Sequence, residues 1–313
     1  MLRLSIALLV AVVLLSTGGR ARAAIINSSM VIDANNSFPG ETVEVVDGAN
    51  PPTVVDVVEG AVIGGKGIFP SLVGRGQSRV HLFGRDFGDA EGSFIEMHDQ
   101  SRVIASGTQN YNIGFAAYDH ASVQLSNGTI SAGMAAYNRA VVRAEGARLD
   151  SVNVFENASA RIINSRGFTD DIRATATGHS TLILRSSRHR HLVAQDDSAV
   201  WFDTGRVTGW LRVNDRAQFH LVGANYDIAE IIEVGDDAAL HVYGTDLVYD
   251  TDIEGELPTL LGFFPDGRPI RQAVLLEDNA RIVFHTVPEP ATATTLALGI
   301  LALAASRRRL TSR

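Results

Sequence analysis

The 313-residue chain contains no cysteine, which removes disulfide scaffolds, zinc–thiolate sites, iron–sulfur clusters and thiol nucleophiles from consideration. Positive charge is scarce: 27 Lys and Arg stand against 35 Asp and Glu, a net charge of −8, the wrong balance for a nucleic-acid binder, which carries a basic face. No Gly-x-Ser-x-Gly elbow, His-Glu-x-x-His or Ser-x-x-Lys pattern occurs. Gly60 to Lys66 matches a phosphate-binding loop only in outline, because Gly67 stands where the Mg²⁺-ligating hydroxyl belongs. What is present is 45% hydrophobic residues and 29 glycines, too apolar for a disordered chain and without the strict repeat of collagen.

Both ends read as export tags. Arg3 precedes the apolar run Leu4 to Leu15, and Ala21-Arg22-Ala23 places small residues at the two recognition positions of a signal peptidase. That pattern predicts a secretory signal peptide over 1–23, the run being too short to span a bilayer comfortably. At the other end Val287-Pro288-Glu289-Pro290 is followed by a Thr/Ala/Leu stretch through Ala305 and then Arg307-Arg308-Arg309. With these parts in this order, residues 287–313 resemble the PEP-CTERM sorting signal of exosortase-processed bacterial surface proteins. The resemblance implies a short helix held transiently in the inner membrane, with the arginines cytoplasmic. It also implies an exosortase-type membrane protease as partner, and release of the processed chain to the cell envelope or extracellular matrix. A plain C-terminal anchor is the competing reading, but Leu296 to Ala305 is short against the roughly 20 apolar residues a permanent span takes. Seven of the 27 basic residues and none of the 35 acidic ones fall outside 24–290, so that segment holds 20 against 35, a net −15.

Between the tags the chain repeats. Taking the first inward apolar residue of each short strand as the lead, Val80, Val103, Val123, Val142, Ala160, Leu182, Val200, Phe219 and Leu240 follow one another at a mean interval of 20 residues, and Ile282 rejoins the series after a gap of 42. Two residues before each lead stands Ser78, Ser101, Ala121, Ala140, Ala158, Ser180, Ser198, Ala217, Ala238 or Ala280, always Ala or Ser. A second apolar residue two after the lead gives the period-2 burial of a strand, and a glycine such as Gly107, Gly128, Gly146 or Gly205 follows shortly, where the chain turns. Further apolar pairs lie eight and six before the lead, as in Ile95/Met97 and Met134/Ala136. A unit of this length cannot bury its own inner face and must stack on the next. The fold expected is all-β: a parallel β-helix of about 20 residues and three short strands per coil, rising about 4.8 Å per coil, with an apolar helix at each end. An immunoglobulin-like sandwich competes, but needs longer antiparallel strands and does not explain the Ala/Ser series.

The organisation expected is a signal peptide over 1–23, irregular N-terminal coils or a cap over 24–75, solenoid repeats over 76–247, a C-terminal cap module over 248–286 and the sorting signal over 287–313. Segments such as 261–269 resemble the terminal module of repeat-bearing PEP-CTERM proteins, and a solenoid end needs a cap to cover unpaired backbone groups.

Four residue sets suggest chemistry. Asp99, Asp119, Asn138, Glu156, Asp196, Asp215, Asp236 and Asp278 lie four before successive leads, with Gly76 and Gly178 completing the column. Stacked, they offer either a Ca²⁺ ladder or turn residues that bond the local backbone; turn chemistry fits one carboxylate per coil better. Outward positions after the leads carry Arg143, Arg161, Ile183, Trp201, His220 and His241, readable as a carbohydrate face around Trp201 or as a mixed solvent face. Tyr118, Tyr137 and Phe155 recur five before consecutive leads and read as an aromatic corner stack. His179, His189 and His191 crowd one coil, but Arg188 and Arg190 between them repel a dication.

The reading that follows is a non-catalytic exported surface or matrix protein, without assigned cofactor, catalytic residue or nucleic-acid partner, and with extracellular polysaccharide as its candidate partner. Its rivals are a polysaccharide lyase or hydrolase, common on parallel β-helices by fold analogy alone, and a non-catalytic carbohydrate-binding module.

Overall fold

The computed structural model describes residues 23–287, apart from 50, 65–69, 84–92, 108–112, 131, 168–171, 225–228 and 253–256. The apolar terminal segments, with the helices expected there, lie outside the described residues. Among the described residues no helix is long and apolar enough to cross a membrane.

The chain winds into a parallel β-solenoid of about 10 turns with about 20 residues per coil. One face is built from strands such as Arg79–Phe83, Arg102–Ser106, Ser122–Ser126, Val141–Glu145 and Ser159–Ile163, each parallel to the next. All ten leads from Val80 to Ile282 face one another in an unbroken register. A second face stacks the pairs that precede them, in the order Ile95, Phe115, Met134, Val152, Ala174, Leu192, Leu211 and Ile232. A third, shorter face appears in part of the coils, where Thr129–Ile130, Arg148–Leu149 and Arg166–Gly167 pair in parallel. In the coil of Leu182 the three faces merge into one strand, Thr181–Ala194.

Register follows burial. Alternate side chains point into a continuous apolar core in which leads such as Val103, Val142 and Leu182 are buried, so slipping one strand by a residue would exchange its core and solvent faces. The Ala/Ser column lies at the corner between the second and first faces. There nine of the ten residues, Ser180 excepted, donate their N–H to the carbonyl three residues earlier, as in Ala121 to Tyr118 (2.9 Å), Ala140 to Tyr137 (3.1 Å) and Ala217 to Asn214 (3.2 Å). This corner is too narrow for a larger side chain.

Glycines do two different jobs. Gly107 and Gly146 turn the next corner with φ near +65° and +63°, a conformation that costs glycine little. Gly205 instead lies inside the third face, where an added Cβ would come within 2.5 Å of the Ser187 carbonyl oxygen.

Two stretches depart from the 20-residue period. Over 24–75 the coils pair in parallel register, but their length varies: Met30, Val55 and Val80 follow at 25 residues, whereas Ala24, Val43, Leu72 and Ile95 follow at 19, 29 and 23. In the other irregular stretch the strand Ala239–Asp250 continues past its corner and pairs antiparallel with Thr259–Phe263, which pairs antiparallel with Pro269–Leu276. This meander buries Leu260, Phe264 and Ile270. Its Gln272 side chain bonds both the N–H and the carbonyl of Ala229 (3.2 and 2.9 Å), as a neighbouring strand would. The chain then returns to the solenoid through Arg281–Thr286, where Ile282 takes its place beside Leu240.

Candidate functional site

The carboxylate column is built by the corner. Asp99, Asp119, Asn138, Glu156, Asp196, Asp215 and Asp236 all hold φ between +57° and +60°, and Gly178 holds a positive φ of +70°. Asp and Asn tolerate this left-handed conformation better than most residues. Their side chains then reach along the axis to the preceding coil. Asp99 accepts the Gly76 N–H at 3.0 Å, Glu156 that of Asn138 at 3.0 Å, Asp196 that of Gly178 at 2.9 Å, Asp215 that of Asp196 at 3.0 Å and Asp236 that of Asp215 at 3.1 Å. These five rungs therefore each satisfy a backbone donor at the tight corner, while Asn138 donates its side-chain amide to the Asp119 carboxylate at 3.0 Å. The positive φ of the corner accounts for the column's residue type and repetition, whereas the side chains bond the preceding coil rather than the local backbone that the turn reading named. Among the described residues no group of three or more His, Asp or Glu is placed to hold a metal ion.

The outward column of the first face keeps the expected neighbours together. Arg143 faces Arg161, Trp201 faces His220 and His220 faces His241. The stacked rings, however, lie nearly parallel: Trp201 and His220 are 3.8 Å apart at 2°, and His220 and His241 4.5 Å apart at 15°. Rings stacked along the solenoid axis spend their faces on one another and turn their edges to solvent. Trp201 is 37% exposed, yet one face is covered by His220, and sugars are held on faces rather than edges.

Two further residues, Tyr243 and His285, complete this cluster. Tyr243 Oη lies 3.1 Å from His220 Nδ1, His285 Nε2 lies 2.9 Å from His241 Nδ1, and the Tyr243 and His285 rings stack at 4.3 Å. Both stand three residues after a lead, the second outward position of the same strands, and extending the outward series by two would have found them. Burial, and then the neighbouring His241 and His285, push His220 down to about 4. His241 is lowered by burial first, then by His285 and Arg281. His220 and His241 are thus held toward the neutral form, and Arg143 and Arg161 are the cationic side chains of the column.

The aromatic corner is a four-ring ladder. His98, Tyr118, Tyr137 and Phe155 stack at 4.7, 4.9 and 4.8 Å with interplanar angles below 10°. Burial, then the Glu96 carboxylate and Tyr137, raise the Tyr118 phenol to about 12.

The three crowded histidines are separated. His179 sits at the corner 3.8 Å from Asp197, and His191 faces outward, stacked on Trp210 at 4.4 Å. His189 points into the core, in the column otherwise held by Ile130, Leu149, Gly167 and Val207.

No protein-family model matches the chain, and comparison with curated proteins and with solved structures returns no match.

Proposed function

We propose that the chain is a non-catalytic exported protein, sorted and processed through its C-terminal PEP-CTERM-like signal, whose solenoid is presented at the cell envelope or in the extracellular matrix. The observation that supports this reading is that the described strands, Ala23 apart, all lie between the two expected tags. The first strand, Ala23–Ile26, begins at the expected signal-peptide cut. The last, Arg281–Thr286, ends where Val287 donates its N–H to the Gly244 carbonyl at 3.0 Å. Pro288 follows immediately and has no N–H with which to continue a ladder. Among the described residues, removal of both tags costs only the pairing of Ala23 with Thr42 and the Val287 hydrogen bond.

An enzyme draws no specific support from the residues. The carboxylates repeat along the axis and are tied to backbone donors, whereas a catalytic pair is a local exception to a repeat. The carbohydrate module centred on Trp201 has one face of that ring already occupied by His220.

The test is expression of the full chain in an exosortase-bearing bacterium, followed by mass spectrometry of the membrane and secreted fractions. The parent is expected to shorten at both ends and leave the membrane. The variant with Glu289→Ala and Pro290→Ala is expected to accumulate as a membrane-held precursor. Equal processing of both, or retention of the parent in the cytoplasm, contradicts the proposal.

A further inference from the structure

The third face carries a column of a different kind. Its outward position, six after the lead, is arginine in four consecutive coils: Arg148, Arg166, Arg188 and Arg206. Arg148 faces Arg166 and Arg188 faces Arg206. The Arg188 N–H reaches the Ser165 carbonyl at 3.3 Å, which sets the second pair over the first. All four are exposed. Among the described residues none of their guanidinium groups has an ion-pair or hydrogen-bond partner, unlike Arg185 with Asp203 (3.2 Å), Arg212 with Glu233 (2.6 Å) or Arg216 with Asp197 (2.6 Å).

Such a column does nothing for the fold. Like charges repeated at the strand spacing of about 4.8 Å repel one another, and among the described residues no carboxylate pairs with them. Nor is it a sample of overall composition, since the segment 24–290 carries a net −15. Beside Arg206 the strip opens into a hollow of about 430 Å³ that Arg271 and Glu230 also line, so the uninterrupted basic surface is the four-arginine column itself.

We propose that Arg148, Arg166, Arg188 and Arg206 form a docking strip for an acidic polysaccharide lying along the solenoid axis. One guanidinium per coil, at a spacing close to the advance of one sugar residue in an extended chain, suits a polymer with one carboxylate per residue. The planar guanidinium can grip each carboxylate through two parallel N–H donors. Duplex DNA fits poorly, because it places one phosphate per about 1.7 Å against a single row of charges on an otherwise acidic body. The inference deepens the proposed function by naming the polymer class and the strip that meets it, and rests on that reading for the setting alone.

The test is isothermal titration of the purified full chain with alginate, dextran and DNA, single- and double-stranded. Alginate is expected to bind in a salt-sensitive manner, and dextran and DNA to bind far more weakly. Arg166→Gln with Arg188→Gln should weaken alginate binding about tenfold or more. Arg139→Gln with Arg173→Gln, which removes the same charge from exposed positions outside the strip, should leave it unchanged. Thermal melting checks that each variant folds, and Arg148→Gln with Arg206→Gln stands in should the first pair melt early. Absence of alginate binding by the parent, equal effects of the two pairs, an unaffected ladder variant or a preference for DNA overturns the proposal. A binding failure in a chain that is still exported and trimmed removes the strip alone. Binding by a chain that is never exported removes the setting and leaves the strip.

Discussion

Replacing Ala140 by leucine is expected to destabilise the solenoid by about 3 kcal/mol, the upper part of the range for overpacking a close-packed site. Replacing the adjacent Val141 by leucine is expected to change stability by less than about 0.5 kcal/mol. Ala140 is fully buried at the corner, with its N–H bonded to the Tyr137 carbonyl. Its counterparts in the neighbouring coils, Ala121 and Ala158, are buried as well. Three extra carbons there have no space along the axis and none across the corner, so the turn itself must open. Val141 points outward on the first face and is only partly covered. Urea unfolding of the two variants measures the difference, and similar costs at both positions would show that the small-residue column is not a packing requirement.

Acid sensitivity is the second large effect, and it traces chiefly to His189. Its side chain is 0% exposed; Nε2 lies 2.7 Å from Ser187 Oγ, while Nδ1 has no hydrogen-bond partner. Burial pushes the imidazole down to about 3 from its ordinary 6.5. The unfolded chain therefore takes up a proton near pH 6.5 that the folded chain refuses until about pH 3. Stability is complete above the upper value and falls progressively between the two, by on the order of 4 kcal/mol over the window. The lowered His220 and His241 act in the same direction. Converting His189→Leu together with Ser187→Ala matches the residue types that stand in register in other coils, Leu149 and Ala147. The double variant should lose most of the pH dependence below 6.5 and unfold at lower pH than the parent. An unchanged acid midpoint would place the sensitivity elsewhere.

The core of the architecture was legible because it is written in three coincident columns. Leads such as Val142 and Leu182 set the strands. The Ala and Ser residues two positions before them mark a corner without room, and the Asp and Asn residues four before mark a backbone that must adopt positive φ. Each column alone is weak, but their constant offsets permit only a coil that brings like positions into contact. The early coils were obscured because Met30, Val55 and Val80 are 25 rather than 20 apart, the extra residues lying in corners that the strand register does not constrain. The meander of 245–273 was visible only as an interruption, since antiparallel pairing depends on turns rather than on the periodicity of Leu260 or Ile270. The second role of the aspartates, accepting a backbone N–H from the coil before, could not be inferred from residue type, because it needs the axial direction of the side chain. The arginine ladder was in plain sight at one fixed offset, but it becomes a surface only once Arg166 and Arg188 are known to occupy adjacent coils.

Distances between spin labels along one column test the central claim most directly, and the absence of native cysteine makes such labels unambiguous. Arg102, Ser159, Thr181 and Gln218 each stand one before a lead, so cysteines introduced there carry labels on the same line of the first face. Measured by double electron–electron resonance from position 102, the in-register solenoid predicts backbone separations that rise linearly with coil number, to about 14 Å at 159, 19 Å at 181 and 29 Å at 218 for a strand spacing of about 4.8 Å. Distances that fail to increase in that order, or that place 218 nearer to 102 than 159, would contradict it.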